Sequence, residues 1–309
     1  MISKWKLKAV VQKIISFLPY PEKINFIFQK HITNGVILTD EHFGYKIQHA
    51  IDHVNYLQKH SEKQHKNIVL ELGTGWYPII PIWFYLNDVG NVISVDIHNW
   101  MNGERLYLVI KKLFEWRRKG RLPDHFKNIN ERKWMNLSHV YHCPSDYDMD
   151  QINVIIGLEC ILQDARKLDL ADDSVDFICS NNTLEHISRE YLQSIFHEFL
   201  RVLKPSGVMS HFIDCSDHFA HFDKSITIYN FLKFSERNWK LIDNKIQPQN
   251  RMRFVDYKRM YSELGIPISD EKITSGDLDM LRKVDINEEF ADYTEQELAV
   301  SHAYIVSQP

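Results

Sequence analysis

Four short clusters in this chain combine carboxylates, small residues and amides in the manner of a ligand-binding strand end. The first is Glu71-Leu72-Gly73-Thr74-Gly75. Glycines there let the backbone approach a ligand closely and turn tightly into the next helix. The run Gly-Thr-Gly-Trp-Tyr-Pro lacks the third glycine of the dinucleotide fingerprint, which argues against NAD. Asp96, followed by Ile97, comes about twenty residues later. From a strand end, such a carboxylate can take both ribose hydroxyls of a nucleoside. Asp164-Ala165 sets a carboxylate beside a backbone N–H, a pair able to read an adenine edge. Ser180-Asn181-Asn182 is the fourth cluster, followed by Thr183-Leu184-Glu185-His186.

Proton-handling residues concentrate further on, at His211, Asp214, Asp217, His218, His221 and Asp223. A neutral imidazole near its usual pKa is suited to accept a hydroxyl proton near pH 7. His218 or His221 is therefore the candidate base or orienting group. A polar surface loop is the plain alternative, and their spacing would also suit a metal with Asp214 or Asp223. The reading adopted has no metal. His186 is a second candidate base, or equally a packed residue at a helix start. Trp100, Trp116, Trp134, Tyr141 and Tyr147 could line an acceptor pocket or simply fill core.

The elements that must position these residues follow from periodicity. Residues 1–60 read as helical, with Ile47, Ala50, Ile51, Val54 and Leu57 at helical spacing over 45–60. Short apolar runs at 67–72, 91–96, 160–163, 175–180 and 208–214 read as strands. Helical sequence separates most of them, including 104–118 and 190–203. Alternation of this kind implies a parallel sheet with helices on both faces. The long connection at about 100–159 reads as an insertion around the rim of the site. Residues from about 225 to 309 read as a C-terminal cap with the last strands, the final one at 303–306. The chain thus divides into an N-terminal helical extension (1–60) and one α/β domain (61–309).

Bulk composition narrows the partners. The 309 residues are 44% hydrophobic and 25% charged, with a formal net charge of -4. No global positive field draws nucleic acid, so none is expected as partner. The basic run 111–121 reads as a solvated helix end. The four cysteines form no C-x-x-C pair, which fits free thiols and a cytoplasmic location. No segment reads as membrane-spanning. Residues 1–19 pattern as a basic amphipathic helix, with Leu7, Val10, Val11, Ile14 and Leu18 on one face. That face is expected to dock on its own domain, or else to touch an anionic membrane surface. The oligomeric state is not legible.

Taken in order, Val69 to Gly75, Val95-Asp96, Asp164-Ala165 with Leu168, 173–178, Leu184-Glu185-His186-Ile187 and 198–207 resemble the motif series of class I methyltransferases of the broad type-11 group. The resemblance covers about 67–214. It implies a Rossmann-like seven-stranded sheet and S-adenosylmethionine as cofactor. By the resemblance, Glu71, Gly73, Thr74 and Gly75 hold the methionine end and Asp96 the ribose, with Ile97 also counted as cofactor-binding. Asp164 and Ala165 take the adenine, and Asn181 the edge near the methyl group. Trp76 and Tyr77 depart from the pattern, where a third small residue is usual. The implied activity is methyl transfer, with O-methylation of a small-molecule or glycan-linked acceptor expected. The alternatives are a macromolecular or membrane-lipid acceptor, and a non-catalytic S-adenosylmethionine-binding protein.

Overall fold

The computed structural model describes residues 3–29, 32, 36–61 and 67–309. Met1 and Ile2 of the basic N-terminal segment lie outside the described residues. Seven strands form one sheet: β1 (Asn67–Leu72), β2 (Gly90–Asp96), β3 (Leu158–Leu162), β4 (Val175–Asn181), β5 (Leu203–Asp214), β6 (Asp270–Ser275) and β7 (Val300–Ser307). Their order is β3-β2-β1-β4-β5-β7-β6. This is the seven-stranded α/β sheet that the motif series implied. β1 pairs parallel with β2 and with β4, and β2 pairs parallel with β3. Every residue of β4 is buried, as expected of a strand covered on both faces. β6, Asp-Glu-Lys-Ile-Thr-Ser, lies at the sheet's edge and is largely exposed. With no apolar alternation, it gave no strand signal.

Two compact units make up the chain: Leu38–Asn181 with Ser194–His211 and Val306–Pro309, and Met1–Ile37 with Asn182–Gln193 and Phe212–Ile305. In the first, the helix Asp40–His60 is capped by Thr39, whose hydroxyl accepts the His42 N–H at 3.1 Å. It buries Phe43, Ile47, Ala50, Ile51, Val54 and Leu57. The helices Ile79–Leu86, Gly103–Arg118 and Glu131–His142 add their apolar faces to the same core. Trp116 and Trp134 are buried there, and Phe114 stacks between Trp134 and Tyr141 at 4.1 and 4.4 Å. These rings of the 100–159 segment are therefore core residues, not pocket lining.

In the second unit, the helix Lys4–Ile15 docks through a stripe other than the apolar one. It buries Trp5, Ala9, Gln12 and Ile15. Leu7, Val10 and Ile14 are 59%, 56% and 57% exposed. The reason is anchoring. The Trp5 ring lies 5.8 Å from Phe219 and 5.9 Å from Phe234, and its backbone N–H donates to Asp223 at 2.9 Å. Gln12 Nε2 donates to Gln247 at 3.2 Å, and Lys13 Nζ to the Asp243 carbonyl at 2.6 Å. One large aromatic and three polar anchors outweigh an aliphatic stripe that finds no pocket.

Arg253 ties the C-terminal segments of this unit together. Its side chain is fully buried and donates to the carbonyls of Cys215 (2.6 Å), Leu298 (2.8 Å) and Val300. Arg253→Met keeps the stem and strands these acceptors. Denaturant unfolding should show a loss of about 2–4 kcal/mol, as unpaired buried acceptors cost. A loss below about 1 kcal/mol would show that the carbonyls find other donors.

Candidate functional site

Three parallel strand ends build the first site. Glu71, next to last in β1, is 2% exposed and stands opposite Ser94 of β2 and Cys179 of β4. The Ser94 hydroxyl donates to Thr74 Oγ1 at 2.7 Å, and the Thr74 hydroxyl donates in turn to Glu71. Burial pushes the Glu71 carboxyl up to about 7, against the Thr74 bond and the Lys46 charge, which hold it down. Gly73 and Gly75 have φ of 77° and 69°, a backbone region that side chains disfavour. The sharp turn out of β1 therefore requires glycine at both positions.

Asp96 ends β2. Burial raises its pKa, and N–H donations from His98, Ile97 and Gly75 pull the other way. The backbone N–H groups of the glycine turn and of the residues after β2 thus face one carboxylate. Ile97 is 69% exposed, an apolar side chain beside that carboxylate. Asn181 is buried at the end of β4, with Lys46 Nζ 3.5 Å from its carbonyl oxygen. Ala165 is buried, but Asp164 is half exposed and engaged by Arg166 through the backbone N–H, Nε and Nη2 at 2.5–2.9 Å. The hydrogen bond from Arg166 holds its carboxyl below the usual range.

One group here, Lys46, escaped the sequence reading. Lys46 belongs to a polar stripe, Lys46, His49 and His53, on the packed side of the helix Asp40–His60; its three- and four-residue spacing was the available signal. Trp76 and Trp100 meet with ring centres 4.4 Å apart and planes tilted by 43°, and the Arg105 guanidinium lies 4.4 Å from the Trp76 ring centre. The departure at Trp76 thus gives the glycine turn an aromatic–cation wall.

The second unit gathers a different cluster. Asp214, at the end of β5, accepts the Ser216 N–H at 2.8 Å. His218 Nε2 lies 3.4 Å and His221 Nε2 3.6 Å from its Oδ2, and His302 Nε2 lies 3.5 Å from Oδ1. Burial pushes the Asp214 carboxyl up, but the neighbouring His218 and His221 more than offset this and leave it well below the usual range. His186 stands beside His218, ring centres 5.0 Å apart, and its Nδ1 lies 2.6 Å from the Pro248 carbonyl oxygen. All three candidate histidines therefore meet. His302, in β7, joins them without any motif to announce it.

The rest of the His/Asp run is structural. His211 is fully buried against the Ser180 hydroxyl at 2.8 Å, and burial lowers its pKa to about 3. Asp217 accepts from Asn230 and from the Phe219 N–H. Asp223 holds Trp5 and Ser225.

Residues 140–210 match a family described as a methyltransferase domain. No curated protein matches the chain. Among solved structures, the chain is similar to the PH0226 protein from Pyrococcus horikoshii OT3, with 16% identity, 91% of this chain and 98% of that one covered, and a TM-score of 0.46. It is also similar to geranyl diphosphate C-methyltransferase from Streptomyces coelicolor A3(2), solved with Mg2+, geranyl diphosphate and S-adenosyl-L-homocysteine. Identity there is 11%, coverage 90% and 87%, and the TM-score 0.44.

The buried Glu71 makes stability depend on pH. Its folded pKa, about 7, lies above the unfolded value of 4.5, so the folded state holds the extra proton between them. Stability should therefore fall as pH rises through that window, by about 3 kcal/mol from this group alone. Unfolding free energies of the wild type and Glu71→Gln, measured from pH 4 to 8 without ligand, isolate the effect. A pH-independent difference between the two would refute it.

Proposed function

We propose that this chain transfers a methyl group from S-adenosylmethionine to an acceptor. The observation that carries the reading is the positive-φ Gly73–Gly75 turn after β1 beside the Asp96 carboxylate that ends β2, on a sheet of order β3-β2-β1-β4-β5-β7-β6, with the family match at 140–210. The residues present fit the cofactor. Asp96, held by backbone donors, is preorganised for ribose hydroxyls, and exposed Ile97 offers apolar surface to an adenine. Gly73 and Gly75 leave room for the methionine end. Lys46 and Glu71 bring one cation and one carboxyl toward groups of its zwitterion. When bound, the cofactor supplies an activated methyl on a sulfonium; the protein's part is to orient an in-line nucleophile and manage its proton.

For the acceptor we favour a hydroxyl on a small or glycan-linked molecule. The cluster at Asp214 supports this, since His218 or His221 can take a hydroxyl proton and an ionised Asp214 steadies the resulting imidazolium. The net charge of -4 weighs against nucleic acid. Calorimetry with S-adenosylhomocysteine should show one site. Asp96→Ala should weaken it by about 1.5–3 kcal/mol, the worth of a hydrogen bond to a charged group. Binding of NAD and not of S-adenosylhomocysteine would sink the reading. On an identified acceptor, His218→Ala should cost roughly 10²–10⁴ in turnover while leaving cofactor affinity alone.

A membrane-associated acceptor is the second reading, and the helix Lys4–Ile15 favours it. Leu7, Val10 and Ile14, followed by Phe17 (75%) and Tyr20 (73%), expose aliphatic and aromatic surface within one short stretch. Exposed Lys4, Lys6 and Lys23 flank it, a charge pattern that complements an anionic bilayer. The full chain should then co-sediment with phosphatidylserine-containing vesicles. Val10→Glu with Ile14→Glu should abolish this with stability changed by less than about 0.5 kcal/mol, as at other exposed sites. Equal sedimentation of wild type and double variant would dismiss the membrane.

A further inference from the structure

One carboxylate with three imidazoles turned toward it is an unusual arrangement. Charge-assisted N–H···O bonds close to about 2.7–2.9 Å. The separations at Asp214 are 3.4, 3.5 and 3.6 Å. They match the edge of a coordination shell instead, because donors bound at ~2.0–2.1 Å to a tetrahedral ion stand about 3.4 Å apart. One donor atom each from Asp214, His218 and His221 lies within 4.8 Å of the other two. Glu185, His186 and His218 form a second group of the same span, so His218 is common to both.

The supporting contacts are also those of a metal centre. His186 Nδ1 gives its proton to the Pro248 carbonyl, which fixes the orientation of the ring. An outer ring N–H given to a backbone carbonyl is the usual support of a metal-bound imidazole. The Ser216 N–H orients the Asp214 carboxylate. Gln249 clamps the segment that carries His218, accepting its backbone N–H at 3.2 Å and donating to the Ser216 carbonyl at 2.5 Å. The His221 side chain is 56% exposed, which gives an ion its way in.

We propose that Asp214, His218 and His221 form a binding site for a borderline divalent transition cation of the Zn²⁺ class, with the Glu185–His186 pair standing beside it at His218. Imidazoles with one or two carboxylates select such ions over Mg²⁺ and Ca²⁺, which prefer oxygen-only shells. The site stands whether or not the chain transfers methyl groups. With a cation seated, an acceptor oxygen would meet a Lewis acid where the bare cluster offers a base.

The test uses the full chain freed of metal by chelator dialysis. Titration with Co²⁺ should develop visible bands that saturate at one ion per chain, and Zn²⁺ should displace them while excess Mg²⁺ does not. His218→Ala and His221→Ala should each weaken Zn²⁺ binding by more than the roughly 10–100-fold that loss of an outer-shell partner costs. His139→Ala, an exposed histidine elsewhere, should leave it unchanged. Asp214→Asn keeps the side-chain shape and should also lose the bands; circular dichroism identifies any variant that has unfolded. Absence of Co²⁺ bands in folded wild type, or equal binding by the His218, His221 and His139 variants, would overturn the site.

Discussion

A parallel sheet puts all its carboxyl strand ends on one edge, and the first site depends on that constraint. Leu72, Asp96 and Asn181 end β1, β2 and β4, three strands paired in parallel. Residues far apart in sequence therefore arrive side by side without contacting each other through any local turn. The cost is that polar groups arrive where burial is deep. The structure meets it with backbone donors at Asp96 and a hydroxyl relay from Ser94 through Thr74 to Glu71.

The sheet and the first site were largely legible because both leave strong one-dimensional traces. Apolar runs bounded by glycine, and carboxylates at their ends, are properties of a few consecutive residues. Lys46 was not legible in this way, for it comes from a helix about twenty-five residues before the turn and is aimed by packing alone. β6 failed for the opposite reason, being an edge strand with no buried face to imprint on its sequence. The helix Lys4–Ile15 shows the limit of periodicity. Its apolar stripe is real, but the pattern cannot tell which stripe finds a partner, and Trp5 with its polar anchors decided the matter.

Histidine was the least legible residue type, because its role is set by depth. His53 and His211 are fully buried and burial lowers both to about 3, so they serve as neutral hydrogen-bonding groups to Ser210 and Ser180. His218 and His221 stand instead around an ionised carboxylate. Sequence spacing placed His211 and His218 in one cluster. Strand geometry separates them, since His211 packs against Phe196 and Phe199 while His218 lies in the short segment after β5 ends.

The indole pair at the glycine turn gives the protein an optical property of its own. Trp76 and Trp100 have ring centres 4.4 Å apart and planes inclined by 43°. Two identical chromophores at that distance and tilt couple their electronic transitions, and the skewed geometry makes the coupled bands chiral. The other five of the seven tryptophans include rings sunk in apolar core, such as Trp83, Trp116 and Trp134. The pair instead stands at the glycine turn, with a guanidinium over one of its faces. The near-ultraviolet spectrum of the unlabelled chain therefore carries a local signature of this turn, distinguishable from the background of the interior.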